Sequence, residues 1–181
     1  MSLRLAFMTL GVLKKPVGHS EVQGFVDRLA SVYAAADGSV GFFARSVRDI
    51  KTWEHSWGPV VRPQCAPPDL ALDQLAMTLS LWNSLEAVAA YSYSGLHAEA
   101  LARREDWFLK GPWPSYVAWW VAEHHQPRWN EGTDRLDHLH AQGSSPYAFH
   151  FREPFDAQGQ RVKLDHAKVV AAKSRSSGKG D

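Results

Sequence analysis

Gln74-Leu75-Ala76-Met77-Thr78-Leu79-Ser80-Leu81-Trp82 decides the fold, because its two sides differ. In a strand, alternate side chains point to opposite faces. Leu75, Met77, Leu79 and Leu81 then share one face, while Ala76, Thr78, Ser80 and Trp82 share the other. The first face is wholly apolar and belongs under a covering layer. The second is small and partly polar, which suits the wall of a cavity.

Upstream, Leu3 to Val12 reads as a first strand, with Leu5, Phe7 and Thr9 on one face and Ala6, Met8 and Leu10 on the other. Ser20-Glu21-Val22-Gln23 has a capping-box pattern. Val22, Phe25, Val26, Leu29 and Tyr33 follow at helical spacing, and Asp37-Gly38 ends that helix. Val40 to Val47 is a second strand. From about Asp49 to Asp73, prolines and the rings of Trp53, His55 and Trp57 break every period, so this is a long loop folding over something.

Downstream, Asn83-Ser84-Leu85-Glu86 opens a short helix to about Tyr91, and a second helix runs from about Leu96 to Phe108. Ser115 to Ala122 is a fourth strand with Trp119 and Trp120 on opposite faces. Asn130 caps a last helix through Gln142, stopped by Gly143, and Ala148 to Phe155 is extended. This order predicts an α+β, ferredoxin-like fold: a four-stranded antiparallel sheet with helices on one face. Because the other face also carries rings, a partner is expected there. Two sheets face to face would make a homodimer with a cavity in each half.

The chain has 181 residues, 45% hydrophobic and 22% charged, as expected for one globular core. A formal net charge of +1 gives no global field toward nucleic acid or membrane. Eight Trp, eight Phe and five Tyr are an unusual load of rings. They can build a core, line a pocket for a flat apolar ligand, or do both. The single Cys65 excludes an internal disulfide framework and agrees with a reducing compartment. The apolar run Leu3–Leu13 holds Arg4 and is followed by Lys14, Lys15 and Pro16, so it reads as a strand rather than a signal segment, and a cytoplasmic location is expected. Residues 1–155 form the expected domain. Residues 156–181 carry Arg161, Lys163, Lys168, Lys173, Arg175 and Lys179 against three Asp, and read as a basic, disordered tail.

A set of motifs then becomes specific: Leu81-Trp82-Asn83-Ser84-Leu85-Glu86-Ala87, Tyr91-Ser92-Tyr93 with His97, and Arg103-Arg104-Glu105-Asp106-Trp107-Phe108. Together with Trp119-Trp120-Val121, His125-Gln126-Pro127, Arg135-Leu136 and Pro146 to Phe155, they resemble a bacterial family without an assigned function. That family sits in the dimeric α/β-barrel superfamily, beside the antibiotic-biosynthesis monooxygenases. The resemblance spans Leu3 to Phe155 and implies a ferredoxin-like dimer with a pocket between sheet and helices. It implies no particular reaction, since such relatives include cofactor-free oxygenases, haem-binding enzymes and simple binders. The Trp53 to Pro68 loop looks longer than the family's, and Gly132 stands where Ala is expected, a change read as affecting helix stability alone.

His97 is the leading catalytic candidate. On one continuous helix it would align with Leu101, Arg104 and Phe108, as a general base beside a guanidinium that steadies negative charge. The same ring could be a core histidine, or an axial ligand to haem. Trp82, Asn83, Tyr91, Tyr93, Trp119 and Trp120 are the expected substrate-binding residues, the rings as walls and the others as polar contacts. No metal is expected unless His97 holds haem: there is no His-x-x-x-His pair and no paired Cys. No glycine-rich phosphate loop or Gly-x-Ser-x-Gly elbow is present, which argues against a nucleotide cofactor and serine hydrolysis. The resulting expectation is a monooxygenase-like enzyme acting on a hydrophobic, ring-containing substrate without a cofactor. The alternatives are a haem enzyme and a non-catalytic binder, with no nucleic-acid or membrane partner.

Overall fold

In the computed structural model, which describes residues 2–49, 51–52 and 54–177, four strands form one antiparallel sheet in the order β2-β3-β1-β4. β1 is Leu3–Val12, β2 Phe42–Arg45, β3 Leu75–Trp82 and β4 Tyr116–Ala122. This is the order of a ferredoxin-like sheet. β1 is central: Phe7 lies opposite Ser80 on β3 and Ala118 on β4, and Thr9 opposite Thr78 and Tyr116. Trp53 of the long loop lies outside the described residues.

The crossover helices share one face. Between β1 and β2 come α1 (Ser20–Val26) and α2 (Leu29–Asp37). Between β3 and β4 come α3 (Leu85–Ser92), α4 (Gly95–Ala102) and α5 (Arg104–Trp107). Each of the two long helices expected from the sequence is therefore broken, at Asp27–Arg28 and at Arg103. At the first break the Asp27 N–H bonds the Gln23 and Phe25 carbonyls together, closing the turn tightly. The break lets Phe25 pack on Trp107 and Phe108 while Tyr33 stacks under Arg45. The first cap is also different: His19 Nδ1, not the Ser20 hydroxyl, accepts the Glu21 N–H. Ser84 does cap α3, through the Ala87 N–H at 3.1 Å.

The opposite face is covered by the same chain. α6 (Trp129–Gln142) lays Trp129, Leu136 and Leu139 over Met8, Leu79, Val117 and Trp119, and Trp57 and Ala66 of the long loop complete the layer. Arg128 rather than Asn130 is the α6 N-cap residue, with no side-chain bond. Both sheet faces are thus buried within one chain, which removes the reason for expecting a second copy over a bare sheet. Gly132 does more than weaken its helix. A Cβ there would stand 2.5 Å from Met8 Sδ and 3.4 Å from the Trp119 ring, so glycine lets α6 touch the sheet.

The residues after Phe155 do not form the expected disordered tail over their described part. Phe155 and Arg161 pair as an isolated bridge, and α7 (His166–Ser177) packs along α3. Val169 and Ala172, three apart on one helical face, are buried against Ala89 and Ala90. The Ser176 hydroxyl accepts the Val40 N–H at 3.1 Å, tying the helix to the start of β2.

Candidate functional site

Between the crossover helices and the sheet the packing is incomplete, and the reason lies in side-chain size. The β3 face carrying Ala76, Thr78 and Ser80 meets Thr9 and Gly11 of β1, so the sheet offers a small, partly polar floor there. α4 stands over that floor without fully burying any of its residues. A cleft of about 2650 Å³ results, running on round the free edge of β3. One end is closed by Phe108, whose ring would lie 2.5 Å from a Cβ at Gly11.

Thr9 and Thr78 share one hydrogen bond, Oγ1 to Oγ1 at 2.7 Å. Two hydroxyls own two protons and this bond uses one, so the second hydroxyl can donate into the cleft. Ser80 is spent: its hydroxyl donates to the Phe7 carbonyl at 3.2 Å and accepts the Trp82 indole N–H at 2.9 Å. Trp82 is buried between Phe42, edge-on, and Tyr91, stacked at 5.2 Å. The Tyr91 hydroxyl donates to the Val32 carbonyl at 3.1 Å, and burial raises its pKa, so it stays protonated.

His97 lies against Tyr91, with ring centroids 4.7 Å apart, and its Nδ1 is 2.9 Å from the Ser92 carbonyl oxygen. A carbonyl only accepts, so Nδ1 carries the proton and Nε2 holds a lone pair. Burial lowers the His97 pKa from 6.5, partly opposed by the bond to Ser92. The imidazole is therefore neutral at pH 7, with its basic nitrogen unpaired among the described residues. Ser92 itself is 5% exposed, and its hydroxyl has no hydrogen-bond partner among them.

The structure brings together part of the expected site. His97, Tyr91 and Trp82 line the cleft, with Tyr93, 51% exposed, at its rim. Arg104 reaches only the mouth. The break at Arg103 takes it out of line with His97, and its exposed guanidinium donates to the Leu101 carbonyl at 3.3 Å. Asn83 is exposed and accepts a bond from Arg4 at 3.1 Å, away from the cleft. Trp119 belongs to the opposite face, with its N–H on Glu131. Trp120 packs beneath the 149–164 segment and donates to the Phe155 carbonyl at 2.8 Å. Thr9 and Tyr116 were missed as lining residues. Their signal was the odd-position face of β1 together with the β4 residue opposite Thr9.

Burial, reinforced by Asp137, pushes the Cys65 thiol up to about 12, so it stays protonated at neutral pH. Among the described residues no three His, Cys, Asp or Glu side chains are grouped to hold a metal ion, and no helix is long and apolar enough to cross a membrane.

No curated protein and no solved structure matches the chain. A family model does match, over residues 4–166, which takes in all four strands but for Leu3 at the start of β1, and the whole cleft floor. The finer placement beside the antibiotic-biosynthesis monooxygenases is carried by no match. The chain is a member of the family described as Domain of unknown function (DUF3291).

Proposed function

We propose that the cleft binds a hydrophobic, ring-containing small molecule and that His97 removes a proton from it. One observation carries this reading: a neutral imidazole whose Nδ1–H is engaged by the Ser92 carbonyl, leaving Nε2 unpaired among the described residues, lines a cleft walled by rings. Burial makes the ring a weaker base than free histidine but keeps it unprotonated at neutral pH, as a general base must be. The Thr9–Thr78 pair supplies a hydroxyl donor for oxygen that gains negative charge. Arg104 lines the same cleft but is exposed, and in this reading the Thr9–Thr78 pair takes the charge-steadying role first.

The resemblance adds an oxidative outcome. The carbanion reacts with O₂, a ring CH₂ becomes C=O with one oxygen atom, and the other leaves as water. In this proposal no flavin or metal takes part.

The test uses 2-tetralone, a fused-ring ketone with an acidic CH₂, in deuterated water. Wild-type protein exchanges that CH₂ for deuterium faster than buffer, as NMR reports. His97→Gln, which keeps a polar side chain without a basic nitrogen, slows exchange by about 10²–10⁴-fold. Oxygen uptake in the same sample tests the oxidative step. Exchange that is equal in both proteins overturns the base reading. A Soret band abolished by His97→Gln gives Nε2 to haem instead.

A further inference from the structure

The cleft turns round the free edge of β3. The β2 ladder on β3 ends at Ser80, with one further bond from the Ser46 N–H to the Leu79 carbonyl at 2.8 Å. Beyond it, on the α6 side of the sheet, the lining passes to Met77, Leu79, Val60 and Trp129. Ser46, His55 and Trp129 border this lobe, and Ser46 Oγ, His55 Nδ1 and Trp129 Nε1 are buried with no hydrogen-bond partner among the described residues. Trp129 is 1% exposed, and the His55 ring stands edge-on to it with centroids 5.0 Å apart.

Native proteins leave few buried polar atoms unmatched, so three on residues that border one lobe call for partners, which an occupant reaches once these side chains turn to it. An indole N–H only donates, so the group missing at Trp129 is an acceptor. Burial, reinforced by the charge of Arg48, lowers the His55 pKa, leaving a neutral ring. The serine hydroxyl donates or accepts. Arg48, Glu54 and Asp73 line the same region with mixed sign, so the field favours no charged ligand.

We propose that Ser46, His55 and Trp129 form a second binding site, separate from that of His97, for a small neutral molecule. Its carbonyl oxygen takes the Trp129 N–H, and its apolar body lies on Met77, Leu79 and Val60.

Benzamide, a neutral aromatic carbonyl compound, is the probe, titrated into the full chain while NMR follows the indole N–H signals. Trp129→Phe identifies the Trp129 signal by its loss. That signal shifts saturably in the wild type, and His55→Leu weakens the titration by about tenfold or more. His97→Gln leaves it unchanged, which separates this site from the catalytic one. Ser46→Ala removes a buried hydroxyl that has no partner, so its melting temperature is equal to or above wild type while benzamide binding weakens. A Trp129 signal that does not move up to the solubility limit of benzamide overturns the proposal, the three atoms then being met by ordered water only. An unaltered titration in both His55→Leu and Ser46→Ala overturns it equally. Loss of the titration in His97→Gln refutes a separate site.

Discussion

The two faces of one sheet have been built to different ends, and β3 shows how. On its Leu75-Met77-Leu79-Leu81 side, α6 comes close enough that a Cβ at position 132 would stand 2.5 Å from Met8 Sδ. On its Ala76-Thr78-Ser80 side the side chains are small, and α4 buries none of its residues fully. The α6 face is closely packed at Gly132, whereas the cleft opens between the other face and α4. The difference teaches that small side chains on one side of a strand help to leave a cleft beside it.

The contrast breaks most visibly at Trp119. Trp119→Ala removes a buried ring and its bond to Glu131, and is expected to cost about 3–5 kcal/mol in denaturant unfolding. A loss under about 1 kcal/mol would show that the α6 face is not the packed one. Gly132→Ala comes next. Helix propensity alone predicts a gain of about 1 kcal/mol, whereas overpacking against Met8 predicts a loss of about 1–3 kcal/mol. The sign of the change in melting temperature decides between them. On the open face, Thr78→Val keeps the shape and deletes one hydroxyl of the Thr9 pair, for about 0.5–1.5 kcal/mol. Its larger effect is on 2-tetralone exchange, which should fall while the fold survives.

The smallest effect is one of pH. The folded pKa values of His97 and His55 both lie below 6.5 because burial disfavours the charged rings. Between each folded pKa and 6.5 the unfolded chain binds more protons than the folded one. Stability is therefore full above about pH 6.5 and declines as pH falls through that window. His97→Gln flattens the decline in part, with the share of His55 remaining, and unfolding curves across that range measure it.

Much of this fold was legible because alternation is a local property. The faces of β1, β3 and β4 follow from the alternation of their side chains, and the cavity-wall face of β3 could be read directly from Ala76, Thr78 and Ser80. The break at Arg103 was not legible because it comes with Trp107 packing against Phe25 and Arg28, contacts far apart in sequence. Trp119 and Trp120 alternate as expected, but which face holds a cleft is settled by what lies on it. In α7, two buried positions among charged neighbours give too faint a stripe to outweigh a basic composition.

The most direct test of the account is the protonation of the two His97 ring nitrogens, read by heteronuclear NMR as pH is varied. The account predicts the proton on Nδ1, Nε2 bare, and a titration midpoint below 6.5. A proton on Nε2, or a midpoint at or above 6.5, would contradict it.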